Sequence, residues 1–336
     1  MQHVRLGNSG LRVSRLCLGT MDFGTSMQET TANAIMDAAR EAKINFIDTA
    51  DAYTGGESEK MVGRLISADR EKWVLATKVG QQDGSPESKM GLSRRWMMRA
   101  IDASLKRLGT DYVDIYYLHH RDDQTPLVES IEAMRDIISK GKANYWGFSN
   151  HYGWEIGEII RLCDQVGCPR PVIAQPLYNL VMRMAENDYL PACAHYGIGV
   201  APFSPLARGA LTGKYIKGES LPAHSRAARG DKSILTRDFS PQVFDVVDAI
   251  KQYCIKRGIK AGEFAILWVL NCSTVSSVIA GPRTFDQWKS YIDALQHEFT
   301  KKDEEFATSL VAPGHPATPG LVWQRHPPLG RCAKVC

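Results

Sequence analysis

Short apolar runs of strand length alternate with longer stretches of helical period along most of this chain. The clearest pair, 45–48 and 73–77, ends in Asp48 and just before Lys78, with an amphipathic helical pattern at 57–67 between them. The same signals predict further strands at 16–19, 113–118, 143–148, 172–175, 198–203 and 276–279. Helices are predicted near 28–42, 93–107, 126–140, 153–166, 186–195, 205–213, 240–258, 261–270, 284–295 and 301–310. Residues 3–15 read as a small hairpin turning at Gly7-Asn8-Ser9-Gly10. The stretch 214–238 is irregular and basic, and 312–336 is rich in turn residues.

Counted from Leu16 there are eight strands, each followed by a helix, with short connections. That alternation implies right-handed crossovers and a parallel sheet. Eight units favour a closed barrel over an open doubly wound sheet, and no G-x-G-x-x-G follows the first strand. The expected fold is therefore α/β: a (β/α)8 TIM barrel over about 16–295 in a single domain 1–336, with an N-terminal β-hairpin and an irregular C-terminal tail.

Composition then removes function classes. A 44% hydrophobic chain of 336 residues can supply a large core, and no window is apolar enough to span a bilayer. The start, Met1-Gln2-His3-Val4-Arg5, has neither an apolar segment nor a cleavage site of a secretory leader, so a cytoplasmic location is expected. A formal charge of +4, dispersed among acids, gives no nucleic-acid footprint and no membrane surface. None of the eight cysteines forms a C-x-x-C pair, which argues for free thiols in a reducing compartment rather than disulfides or a metal site. Cys332 and Cys336 at the tail are the pair open to oxidation.

Candidate chemistry sits at the strand exits, where a parallel barrel places it. Asp48 and Tyr53 follow one strand, Lys78 ends the next, and 111–120 is a strand ending in His119 and His120. A phenol has an ordinary pKa near 10, too high to exchange protons freely at neutral pH. A neighbouring ammonium should lower it, a carboxylate keeps that lysine charged and oriented, and a neutral imidazole can direct a substrate oxygen. Singly, Asp48 could cap a helix, Lys78 could be solvated, and Tyr53 or His119 could be satisfied, half-buried groups. Their joint occurrence at successive exits points to proton donation onto a carbonyl, or acceptance from an alcohol. Residue alternation alone does not choose between His119 and His120, since adjacent strand residues face opposite ways.

Phe46-Ile47-Asp48-Thr49-Ala50 with Tyr53, Gly56-Glu57-Ser58-Glu59, Ala76-Thr77-Lys78, the segment 111–119 and Gly147-Phe148-Ser149-Asn150 resemble the aldo-keto reductase signatures. The resemblance runs in order from about Val4 to Leu295 and is nearest the branch holding potassium-channel β subunits and many bacterial oxidoreductases. It implies a barrel that binds NADP(H), with NAD(H) as a possible substitute, and a catalytic tetrad of Asp48, Tyr53, Lys78 and His119. By the same resemblance Ser149, Asn150 and Gln175 contact the nicotinamide carboxamide, and Phe203 stacks on the ring. Ser204, Pro205, Leu206, Arg208 and Lys214 surround the pyrophosphate, where N–H groups at a helix start suit an anion. Gly281, Arg283 and Gln287 form the adenosine 2′-phosphate site, Arg283 through a forked charged contact. Gly281 and Tyr291 depart from the Lys and Asn that relatives carry there.

Gly19, Thr20 and Met21 would touch the cofactor, and Phe23, His120, Tyr178 and Trp323 would face substrate. Arg208, Tyr215, Arg226 and the 214–238 stretch would cover the cofactor as a movable clasp. The function implied is reversible reduction of an aldehyde, ketone or sugar carbonyl, acting on small molecules as a monomer or homo-oligomer. A redox-sensing NADP(H)-binding subunit with little turnover is the alternative from another class. A barrel lyase or isomerase is the third, and it predicts no nicotinamide binding.

Overall fold

His3–Arg5 (β1) and Arg12–Ser14 (β2) pair antiparallel, with Val4 opposite Val13, and open the computed structural model as a hairpin. The structure describes residues 1–24, 27–81, 91–223, 225–230 and 234–321. Past the hairpin the chain alternates strand and helix. Leu16–Gly19 (β3), Glu29–Glu41 (α1), Phe46–Asp48 (β4), Glu57–Ile66 (α2), Val74–Val79 (β5), Arg94–Leu108 (α3) and Val113–Leu118 (β6) come first. Leu127–Ser139 (α4), Ala143–Ser149 (β7), Gly153–Val166 (α5), Ile173–Gln175 (β8), Tyr189–Tyr196 (α6) and Gly199–Val200 (β9) follow. Pro241–Arg257 (α7), Ala261–Asn271 (α8), Val278–Ala280 (β10), Phe285–Ala294 (α9) and Lys301–Leu310 (α10) complete the order.

The parallel sheet has eight strands in the order β10-β3-β4-β5-β6-β7-β8-β9. Its two edges meet: Val200 bridges Val275 in parallel, Ser276 N–H donates to Val200 C=O at 2.8 Å and Ile279 N–H to Pro202 C=O at 3.1 Å. The expected (β/α)8 barrel with its N-terminal hairpin is therefore observed. Its interior is a stack of inward side chains, Cys17, Phe46, Val74, Ala76, Ile115, Tyr117, Ile173, Ala201 and Ile279. Leu6 and Val13 join that cluster from the hairpin, which closes the N-terminal end. The outward strand residues, such as Leu18, Ile47, Leu75, Tyr116 and Phe148, pack against the helices in a second, larger core. Each large apolar side chain buried this way contributes about 1.5–3 kcal/mol.

Three segments differ from the expectations. The strand expected at 198–203 is regular only at Gly199–Val200, because Pro202 has no N–H to give. Pairing continues irregularly nonetheless, with Ala201 N–H to Ala174 C=O and Phe203 N–H to Pro176 C=O, both at 3.0 Å. The strand expected at 276–279 starts later, at Val278, since the Ser276 and Ser277 N–H groups both turn toward Val200 C=O. The helix expected at 205–213 is instead a pair of tight turns over Ala207–Thr212, broken where Arg208 (φ 54°) and Gly209 (φ 95°) are left-handed. After α10 the described tail folds back along the segment following β8. Ala317 N–H donates to Val181 C=O at 2.9 Å, and Arg183 N–H donates to His315 C=O at 3.2 Å. Trp323, Cys332 and Cys336 lie outside the described residues.

Candidate active site

Strand alternation places the polar groups. Phe46, Ala76, Tyr117 and Ile173 point into the barrel, so the residues two further on, Asp48, Lys78, His119 and Gln175, also point inward. All four stand at the C-terminal end of their strands, above the apolar stack. Tyr53 arrives differently, on a short 3-10 turn, Tyr53–Gly56, that follows β4 and caps the same end.

These groups meet. The Lys78 ammonium donates to Asp48 Oδ1 at 2.5 Å, to the Thr49 carbonyl at 2.7 Å and to the Tyr53 hydroxyl at 3.1 Å. The lysine is fully buried, so its charge is compensated by Asp48 rather than by water. Gln175 Nε2 donates to Asp48 Oδ2 at 2.9 Å, which fixes the carboxylate from its other side. Burial opposes charge on Lys78, but Asp48 and Tyr53 outweigh it and hold the ammonium pKa above its ordinary value. For Tyr53 the balance differs from the lowered pKa expected of it. Burial raises it, Lys78 only partly offsets that, and the net direction is upward. A neutral phenol at physiological pH is thus the resting state, which suits a proton donor.

The His119 ring meets the Tyr53 ring edge-on, with centroids 5.9 Å apart. Both histidines reach the site. The ladder ends one residue after β6, with His119 N–H donating to Val79 C=O at 2.7 Å. Beyond it alternation no longer applies, and the His120 ring stacks on His119 at 4.4 Å and 12°. His120 Nε2 also pairs with Gln81 Oε1 at 2.8 Å. Gln81 was missed in the sequence, although its place just past β5 is the kind of strand exit that carries polar groups.

A cavity of about 490 Å³ opens over these residues, lined by Asp48, Tyr53, His119 and His120 and also by Gly281, Arg283 and Gln287. Every residue expected to touch the cofactor lines it: Gly19, Thr20 and Met21, then Ser149, Asn150 and Gln175, then Phe203 through Leu206, Arg208 and Lys214. Lys78 does not line it and lies behind Tyr53, to whose hydroxyl it donates. Phe23 and Tyr178, expected in the substrate pocket, do not line it. Phe23 turns back into the outer core, its N–H bonded to Thr20 C=O at 2.9 Å. The Tyr178 hydroxyl donates to Glu186 Oε1 at 2.8 Å, and its ring packs on Trp268. Tyr291 lines the cavity as well. Lys260, Gly262, Ile266 and Ser290 also line it unforeseen. They belong to the start of α8 and to α9, and nothing in their sequence marks which way those helices face.

The cavity fits a dinucleotide. Ser204, Ala207, Arg208 and Gly209 all have positive φ, in tight turns closed by Ala207 N–H to Ser204 C=O at 2.9 Å and Gly209 N–H to Leu206 C=O at 2.8 Å, and Arg208 and Lys214 bring cations to the cavity there. Gly209 is pressed by Lys214: a Cβ there would stand 2.8 Å from the ammonium. Where Arg283 lines the cavity, burial lowers its pKa, Arg229 and Arg226 lower it further, and Asp22 opposes them. Such crowding of cations favours a bound anion. Arg283 N–H also donates to Gln287 Oε1 at 2.9 Å, which orders the turn into α9.

Part of the stretch expected as a clasp reaches the cavity, which Arg226 lines. Arg226 Nη2 contacts Met21 Sδ at 3.6 Å, and Arg229 stands 3.8 Å from Asp22. Tyr215, Ala227 and Ile234 form a small apolar cluster with Phe239 and Phe244. Arg208 pairs with Asp238 at 3.3 Å, which ties this segment to the left-handed turns.

Comparison with known proteins agrees with this geometry. The chain is 37% identical over 301 residues to a probable voltage-gated potassium channel subunit beta of Oryza sativa subsp. japonica, covering 88% of this chain and 91% of that one. It is 36% identical to the uncharacterized oxidoreductase YrpG of Bacillus subtilis (strain 168), with 90% and 93% covered. The versiconal hemiacetal acetate reductase of Aspergillus parasiticus is 29% identical, with 93% and 98% covered. The model of the aldo/keto reductase family matches residues 15–310, and with the barrel and the relatives this establishes that the chain belongs to that family of oxidoreductases.

Proposed function

We propose that this protein reduces an aldehyde, ketone or sugar carbonyl to the alcohol with NADP(H), reversibly, using Tyr53 as general acid. The observation that carries this is the Asp48–Lys78–Tyr53 chain of hydrogen bonds, 2.5 and 3.1 Å, beside a cavity that Arg208, Lys214, Arg226 and Arg283 also line. When bound, the dinucleotide supplies the hydride. The rest falls to the chain. His119 directs the carbonyl oxygen, and Tyr53 gives it a proton as negative charge builds there. Lys78 stabilises the phenolate left behind, and Asp48, steadied by Gln175, keeps Lys78 charged. Ser149, Asn150 and Gln175 supply the donors and acceptors a carboxamide needs, while Phe203 offers a ring face. The Arg226, Arg229 and Arg283 group supports preference for a 2′-phosphate.

Fluorescence titration with NADPH and NADH, followed by a panel of carbonyls, tests this in wild type and Tyr53→Phe. The variant should keep nucleotide affinity and lose about 10²- to 10⁴-fold in turnover. Equal turnover in the two proteins would remove Tyr53 as the acid. Because the Tyr53 pKa is displaced upward, alcohol oxidation, which needs the phenolate, should quicken as pH rises above neutrality. The similarity to channel β subunits supports a second reading, a nucleotide-holding sensor. One turnover followed by a stalled complex would favour it.

A further inference from the structure

Behind the Tyr53 turn lies a second charged group that the proposed chemistry does not use. Glu59, fully buried on α2, accepts from Thr77 Oγ1 and from Arg107 Nε, both at 2.6 Å. Thr77 immediately precedes Lys78. The Arg107 stem runs beneath Gly56, where a Cβ would stand 2.8 Å from Arg107 Cδ, so it supports the turn that carries Tyr53. Asp51, two residues before Tyr53, donates its N–H to Lys78 C=O at 3.3 Å. Its Oδ1 is shielded from solvent and has no hydrogen-bond partner among the described residues.

We propose that Asp51, Glu59 and Arg107 form a brace behind the Tyr53 turn, and that the proton on Asp51 tunes the acid strength of Tyr53 through Lys78. Glu59 hydrogen-bonds the Arg107 guanidinium, and Asp51 lies within electrostatic reach of both. With Asp51 protonated, Glu59 and Arg107 neutralise each other. With Asp51 ionised, one negative charge is left over beside the Lys78–Tyr53 pair. It then competes with the phenolate for the ammonium and makes proton donation harder. The groups that face Asp51 are Glu59 from α2, Arg107 from α3, Lys78 from β5 and Tyr116 from β6. Burial first and Glu59 second push its carboxyl up to about 7, against Arg107, the Ala52 N–H and Lys78. Asp51 is on this account a positioning residue and not a catalytic one.

The inference rests on Tyr53 being the acid, and two measurements on the full chain keep its failure separate from failure of that assignment. The first is the kcat profile for carbonyl reduction at saturating NADPH between about pH 5.5 and 9 in wild type and Asp51→Asn. Wild type should fall by about three- to tenfold through neutrality while Asp51→Asn stays level, with nucleotide affinity equal in both. Arg107→Gln, which removes the opposing cation, should move the wild-type midpoint upward. The second is melting temperature against pH. A carboxyl whose folded pKa lies above its unfolded value of about 3.9 costs stability as pH climbs between the two. Wild type should therefore lose stability from pH 5 to 8 relative to Asp51→Asn, and the variant should be the more stable at pH 8. Parallel kcat profiles in active enzymes, or parallel melting curves, overturn the brace. Absence of any carbonyl turnover in wild type overturns instead the assignment of Tyr53.

Discussion

The two walls of the cavity are built on opposite principles. One, from β4 to β8, is largely regular strand, and Asp48, Lys78, His119 and Gln175 stand where alternation of inward side chains puts them, with Tyr53 on the turn after β4. The other, 204–213, is backbone held in the left-handed region at Ser204, Ala207, Arg208 and Gly209. On the strand wall the chemistry lies in side chains, and the backbone is occupied with its ladder. On the loop wall the backbone is folded into its own tight turns, which bring Arg208 and Lys214 to the cavity. A rigid lattice suits a proton relay that needs fixed distances, and a strained loop suits a ligand that must enter and leave.

Substitutions on each wall should separate these roles. The largest stability effect is expected from Lys78→Met, which strands the buried Asp48 charge and should cost about 3–5 kcal/mol by thermal or denaturant melting. Adding Asp48→Asn should recover most of that loss, since a neutral pair replaces a lone carboxylate. On the loop wall, Gly209→Val forces a branched side chain into φ 95° against Lys214. It should cost about 1–3 kcal/mol and weaken nucleotide binding while sparing the tetrad geometry. The smallest effect is expected from Arg283→Ala. NADPH affinity should drop roughly tenfold and NADH affinity barely change, as expected for loss of one charge-assisted contact. Equal losses for the two nucleotides would remove Arg283 from the 2′-phosphate.

Much of the strand wall was legible beforehand. Asp48, Lys78 and Gln175 each end a short apolar run, and in a parallel barrel such ends converge. What escaped was what happens once a ladder stops. His120 stacks on His119 because alternation lapses past His119, where the ladder ends. Phe23 was expected at the substrate, yet a turn onto Thr20 returns it to the core. Tyr178 was expected there too, but Glu186 and Trp268 claim its hydroxyl and its ring. The helical composition of 205–213 was overridden by left-handed Arg208 and Gly209.

By itself the sequence determined the number and order of the strands and which residues of a strand share one face, though not which face is the inner one. Those follow from covalent geometry, which repeats every two residues whatever surrounds the chain. Only the tertiary structure decided how strongly Tyr53 and Asp51 keep their protons and which distant segments wall the cavity. Proton affinity depends on how far burial removes water and on charges brought close from elsewhere in the chain, and neither is set until the barrel closes.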